Sequence, residues 1–233
     1  MEYAQEVLER FSIDQFNPVH NPIVPGSKLT RDENGVRVDE TFYKQIVGSL
    51  MYLTATRPDL MFVVSLVNRY MERPTETHLQ TAKRVLRYVK GTVNFGVFYK
   101  EGGTEELVGY TDSDYVDDQN DRKSTFGYVF TLSLGAVSWS LKKQPVVTLS
   151  TTEAEFITAA SSACQAIWLR RILEQLNHGQ YKPTVIHCDN VSAIKLSKNP
   201  VMHGQSKHID VRFHFLRNLI KDEVVELVQC STQ

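Results

Sequence analysis

The chain has little cysteine, no long apolar run and almost no net charge. Its 233 residues include three cysteines, Cys164, Cys188 and Cys230. An odd, widely spaced set gives neither a disulfide framework nor a zinc-binding pattern. Each is expected to be a small apolar core residue, in a reduced, intracellular protein. No segment reaches the apolar length needed to span a bilayer, so no membrane partner is expected. Met1 to Phe11 interleaves Glu2, Glu6, Glu9 and Arg10 with apolar residues, the pattern of an amphipathic helix rather than a secretory signal. The expected location is cytoplasmic.

A formal net charge of -1 gives no sign of a nucleic-acid partner for the chain as a whole. The distribution says more. Leu141 to Lys221 carries eleven Lys or Arg against five Asp or Glu, whereas Glu101 to Asp121 is strongly acidic. A basic stretch beside a carboxylate cluster suits an enzyme that holds a phosphate backbone and cuts it with metal ions. Solvated helix faces would give the same counts. With 42% hydrophobic and 23% charged residues, the chain has the composition of a globular protein.

The periodicity changes near residue 95. Residues 1–94 read as helical. Tyr3, Val7, Leu8 and Phe11 form one apolar stripe. Asn17 to Val36, with three prolines and two glycines, reads as a connector. Helices are predicted from Glu40 to about Thr54, from Pro58 to about Met71, and from Thr75 as N-cap to near Gly91. Residues 95–233 alternate as strands do at Phe95–Tyr99 and Leu107–Thr111, and form a hairpin from Thr125–Leu132 and Ala136–Ser140. A long helix is predicted from Ser150 to about Leu176, a strand over Thr184–Cys188 and a short helix over Val191–Leu196. Another helix follows over Ile209 to about Ile220, then a last strand over Val224–Val228. Strands followed by alternating helices and strands predict an α/β fold, a mixed sheet with helices packed on it.

Three carboxylates stand at places where chemistry is built. Asp112 closes the strand reading Gly109-Tyr110-Thr111, Asp189 closes the strand ending in Cys188, and Glu155 lies in the first turns of the long helix. Neighbouring strand ends can bring such groups together. Clustered carboxylates need cations, and oxygen donors favour Mg²⁺ or Mn²⁺. Two such ions can activate water and stabilise a leaving oxygen. The bland alternative remains open at this level. Each acid could be a surface charge or a helix cap, Asp189 for the helix that follows it.

The ordered motifs carry a resemblance. Tyr110-Thr111-Asp112-Ser113-Asp114-Tyr115 is followed by Asp121-Arg122-Lys123-Ser124-Thr125-Phe126-Gly127-Tyr128. Then come Ser138-Trp139-Ser140 with Lys142-Lys143-Gln144, Leu149 through Glu155, Cys188-Asp189-Asn190, Asn199-Pro200, and Lys207-His208-Ile209-Asp210 through His214. Over about residues 105–228 this resembles the ribonuclease H domain of copia-type LTR retrotransposon Pol polyproteins. Tyr43 to Tyr52, Arg57-Pro58-Asp59 and Leu86-Arg87-Tyr88-Val89-Lys90-Gly91-Thr92 are similar to the reverse transcriptase thumb and connection that precede it.

The resemblance implies a ribonuclease H-like mixed five-stranded sheet over residues 95–233, preceded by a smaller, mainly helical region over residues 1–94. It implies metal-dependent endonuclease action on the RNA strand of RNA–DNA hybrids, with two Mg²⁺ or Mn²⁺ ions held by Asp112, Glu155 and Asp189. Glu153 competes with Glu155 within Glu-Ala-Glu, and the run beginning at Phe156 favours Glu155. Asp114 is expected to share the face of Asp112. Arg122, Lys123, Lys207 and His208 are candidates for phosphate contact. Arg122 and Lys123 could equally pair with Asp117, Asp118 or Asp121. The implied partners are the hybrid and the palm and fingers of the polyprotein, in the cytoplasm or a retrotransposon particle.

Two departures temper this. Tyr115-Val116-Asp117-Asp118 spells a polymerase palm motif, but the polar run Gln119 to Lys123 follows it, so no polymerase activity is expected. The sequence stops at Gln233, before the point where the family places a helix with a fourth metal-binding aspartate, and Asp210 fits a helix-opening acid better than a ligand. Three of four expected carboxylates predict weak or absent hydrolysis by this chain alone. The alternative is a non-catalytic retroelement remnant or a co-opted, effector-like binding protein.

Overall fold

The computed structural model of the chain describes residues 2–13, 15–27, 29–100, 102–114, 121–198 and 210–230. It divides into two compact units, Met1–Val97 and Phe98–Gln233.

The first unit is helical: α1 (Glu2–Arg10), α2 (Glu40–Leu53), α3 (Met61–Asn68) and α4 (Glu76–Gly91). Asp39 starts α2, its carboxylate accepting from the backbone N–H groups of Thr41 and Phe42. The single helix predicted over Pro58–Met71 is shorter and begins differently. Pro58 opens a 3₁₀ turn to Leu60, and α3 ends where the N–H groups of Arg69 and Tyr70 reach back only three residues. The core joins Val7 and Leu8 of α1, Tyr43, Ile46 and Leu50 of α2, Val63 and Val67 of α3, and Val85, Leu86 and Val89 of α4.

Polar side chains tie the connector to α4. His78 Nδ1 accepts from the Thr75 N–H at 3.0 Å, closing the helix start. Its Nε2–H donates to Thr30 O at 2.8 Å, and its ring stacks on Tyr70. Arg84, Arg87 and Lys90 donate to the carbonyls of Asn21, Asn17 and Phe16. Buried Arg57 forks onto Asp59 and donates to both Thr92 oxygens.

The second unit holds a five-stranded sheet in the order β3-β2-β1-β4-β5. The strands are β1 (Leu107–Asp114), β2 (Thr125–Leu132), β3 (Gly135–Lys143), β4 (Thr184–Cys188) and β5 (Val225–Gln229). β1, β2 and β3 form an antiparallel meander, and β4 and β5 run parallel to β1. With helices α5 (Thr151–Gln175), α6 (Val191–Lys198) and α7 (Asp210–Lys221), this is the ribonuclease H-like arrangement. Alternation sends Leu107, Phe130, Ile186, Cys188, Val225 and Leu227 to one face, where Phe156, Ala160 and Ala163 of α5, Ile194 of α6 and Leu216 of α7 cover them. Tyr110 and His187 stack on the opposite face.

Phe95–Tyr99, expected as a strand, forms none. Phe95, Phe98 and Tyr99 are exposed, and among the described residues no strand pairs with the segment. Tyr99 instead packs its ring at Gly135 and donates to Ala136 O. β1 and β3 run three residues further than predicted. Their polar ends, Asp112–Asp114 and Leu141–Lys143, stay paired through β2.

Candidate metal centre

β1 and β4 lie side by side and parallel, so their carboxyl ends open at the same edge, beside the first turns of α5. Asp112 lies within β1 near that end, and Asp189 is the first residue after β4. Glu155 points from α5 into the gap and is only 5% exposed.

A donor atom each from Glu155, Cys188 and Asp189 lies within 4.8 Å of the other two. Asp112 is not one of the three. It is tied to Glu155 by a shared donor: the Ser113 N–H points to Asp112 Oδ1 at 2.9 Å and to Glu155 Oε1 at 3.0 Å. The Cys188 thiol donates to Glu155 Oε2 over 3.9 Å.

Burial, with Asp189 and Asp112 nearby, pushes the Glu155 carboxyl up to about 8. The bonds from Ser113 and Cys188 act the other way. A hydrogen bond to a charged group contributes roughly 1.5–3 kcal/mol, so desolvation and repulsion win here. A cation would reverse that balance. Two carboxylates and a thiol at this spacing are a donor set that can hold a divalent cation, so the residues present fit such an ion.

The surroundings fix these groups. Gln144, buried at the end of β3, donates from Nε2 to Ala154 O at 3.0 Å and lies 3.2 Å from Thr158 Oγ1. It also reaches Ser113 Oγ at 3.4 Å. Ser162 of α5 meets Thr111 of β1 at 3.0 Å. Strand end, hairpin end and helix are thereby laced together.

Glu153 has a different task from Glu155. Its Oε2 accepts from the Leu149 N–H while Ser150 Oγ accepts from the Glu153 N–H, which closes the start of α5. Asp189 is not needed as a cap for α6 either. Asn190 Oδ1 accepts from the Ala193 N–H at 2.9 Å and fills that role. Asp114 is exposed at the end of β1, two residues on from Asp112. Arg122 is exposed with a φ of 58°. The ion pair of Asp121 is with Lys143, at 3.0 Å, while Lys123 gives Asp121 its backbone N–H. Lys207 and His208 lie outside the described residues, as do Asp117 and Asp118. Sequence reasoning missed Cys188 and read it as core alone. The available signal was alternation, which puts Cys188 on the helix-covered face that Glu155 approaches.

No family model matches the chain. It is 41% identical over 230 residues to the retrovirus-related Pol polyprotein from transposon RE1 of Arabidopsis thaliana, covering 99% of this chain and 16% of that protein. It is 42% identical over 238 residues to the counterpart from transposon TNT 1-94 of Nicotiana tabacum, covering 99% and 18%. The chain therefore spans less than a fifth of the length of these relatives. It is 44% identical over 128 residues to secreted RxLR effector protein 161 of Plasmopara viticola, covering 54% of this chain and 90% of that one. In structure it is similar to a foamy viral protease-reverse transcriptase solved with dsDNA, at a TM-score of 0.60 and 10% identity, over 100% of this chain and 41% of that one. With its ribonuclease H-like sheet and 41–42% identity over 99% of its own length, the chain corresponds to a segment of the retrovirus-related Pol polyproteins from transposons.

Proposed function

We propose that the second unit is a metal-dependent ribonuclease H that acts on the RNA strand of RNA–DNA hybrids within a longer polyprotein. The observation that carries this reading is Glu155, a buried glutamate held between Asp189 and Asp112 at the meeting point of β1, β4 and α5. Such a cluster is costly unless a cation offsets it.

In this reading Glu155, Asp189 and Asp112 would hold the Mg²⁺ or Mn²⁺ ions. The bound ions would supply charge neutralisation and an activated water. The chain's own residues do the positioning. The Ser113 N–H orients Asp112 and Glu155 together, and Gln144 keeps Ser113 and α5 in register. Arg122, Lys123, Lys207 and His208 are proposed phosphate contacts. The proposed setting is the cytoplasm or a retrotransposon particle, with the polyprotein's palm and fingers as partners.

The test is a gel assay with the RNA strand of an RNA–DNA hybrid labelled, run with Mg²⁺ and with Mn²⁺. Weak metal-dependent RNA cleavage by this chain alone, lost in Asp189→Asn and Glu155→Gln, is the expected result. Equal cleavage by those variants would overturn the assignment. A second reading, a non-catalytic binding protein, draws on the 44% identity to the effector protein. Binding of the hybrid without cleavage at any concentration of either ion would favour it.

A further inference from the structure

We propose that Cys188 is a third donor at the Glu155–Asp189 centre, so that this centre takes a thiophilic divalent cation, of which Cd²⁺ and Zn²⁺ are examples, more tightly than Mg²⁺. The inference rests on the reading that Glu155 and Asp189 hold a cation.

Three observations carry it. The group of donor atoms within 4.8 Å consists of Glu155, Cys188 and Asp189 and does not include Asp112. The sulfur is already in contact with one of its partners, Glu155 Oε2, at 3.9 Å. Cys188 is fully buried on the helix-covered face of β4, one residue before Asp189. Zinc-like ions bind sulfur near 2.3 Å and carboxylate oxygen near 2.1 Å. Tetrahedral donors at those lengths stand roughly 3.5 Å apart, so side-chain rotations of about 1 Å would close the set.

Softness decides the selectivity. A thiolate adds strongly to the affinity for Zn²⁺ or Cd²⁺ and little to that for Mg²⁺, which prefers oxygen. On coordination the S–H bond breaks, the proton leaves to solvent, and the electron pair stays on sulfur to form the metal–sulfur bond. Nothing is oxidised or reduced. Cd²⁺ and Mg²⁺ then compete for one set of carboxylates.

The experiment uses the full chain with Cys164→Ser and Cys230→Ser, because Cys164 is exposed and Cys230 partly so, and titrates it with Cd²⁺ alone. A sulfur-to-cadmium charge-transfer absorption that saturates at one equivalent is expected. Adding Cys188→Ser should abolish it and lower Cd²⁺ affinity at least about tenfold, while Mg²⁺ affinity changes less than about twofold. Cadmium NMR of the protein that keeps Cys188 gives the same answer without altering the site, since sulfur ligation moves the resonance far downfield of an all-oxygen position. An all-oxygen resonance, or bound Cd²⁺ with no charge-transfer band, overturns the proposal. If that result comes with Mg²⁺ binding that Asp189→Asn abolishes, the carboxylate centre stands and only the role of Cys188 falls. If neither ion binds any of these proteins, both fall.

Discussion

Asp112 and Glu155 share one hydrogen-bond donor: the Ser113 N–H lies 2.9 Å from the first carboxylate and 3.0 Å from the second. Two acids from different elements are thus brought to one point by one backbone group. Burial and the charges of Asp189 and Asp112 keep Glu155 hard to ionise there.

That relationship sets a pH dependence for the metal-free second unit. Glu155 titrates near 4.5 when unfolded and at about 8 when folded. Between those values the folded state binds more protons, so stability is full below about pH 4.5 and falls as pH rises toward 8. The loss is on the order of 5 kcal/mol. Both tryptophans, Trp139 and Trp168, lie in this unit. Denaturant titration followed by tryptophan fluorescence, with chelator present, therefore reads it directly. Glu155→Gln should flatten the slope, and added divalent cation should restore stability at pH 8.

The first unit should respond to acid. His78 is fully buried, and burial depresses its pKa below 6.5, outweighing the Thr30 carbonyl and Asp32. The unfolded chain takes up the proton first, so the stability contributed by neutral His78 is present above pH 6.5 and is lost as pH falls below it. Protonation also costs Nδ1 its bond from the Thr75 N–H. Hydrogen exchange over residues 75–89, corrected for intrinsic rates, should quicken as pH drops from 7 to 5. His78→Gln should be less sensitive over the same range.

Legibility in the sequence followed the kind of force involved. The helix starts at Asp39, Thr75 and Ser150 are local, set by side chains that accept from N–H groups a few residues on, and their positions were readable. β2 and β4 were also readable, since their apolar runs end in turns. Phe95–Tyr99 was not, because a strand needs a partner and periodicity cannot supply one. At the centre, strand ends at Asp112 and Asp189 and the motifs around them named the carboxylates. The closeness of Cys188 to Glu155, and the use of Asn190 rather than Asp189 as the cap of α6, depend on register and rotamers across elements. No single stretch of sequence contains those.

Gly109 lies three residues before Asp112 on β1, opposite Phe130. A Cβ there would stand 2.7 Å from Phe130 Cε1. That ring is fully buried and has no room to yield, so Gly109→Ala should destabilise the second unit by about 1–3 kcal/mol. A fall in the tryptophan-detected denaturation midpoint is the readout.

Arg57 holds Asp59, Thr92 and the end of α4 together from a buried position. Arg57→Ala removes the fork and leaves Asp59 and the Thr92 carbonyl without it, at a cost of roughly 3 kcal/mol. Arg57→Lys should rescue little, because a single ammonium cannot reproduce the two-pronged contact. Hydrogen exchange across α4 separates this effect from the tryptophan-bearing unit.

Calorimetric titration of Mn²⁺ into the wild-type chain and Asp189→Asn at pH 7.5 asks whether Glu155 and Asp189 form a cation site. A saturable site is expected in the wild type, weakened about tenfold or more in the variant, with Asp112→Asn costing less because Asp112 stands outside the closest group. Equal Mn²⁺ affinity in wild type and Asp189→Asn would contradict it.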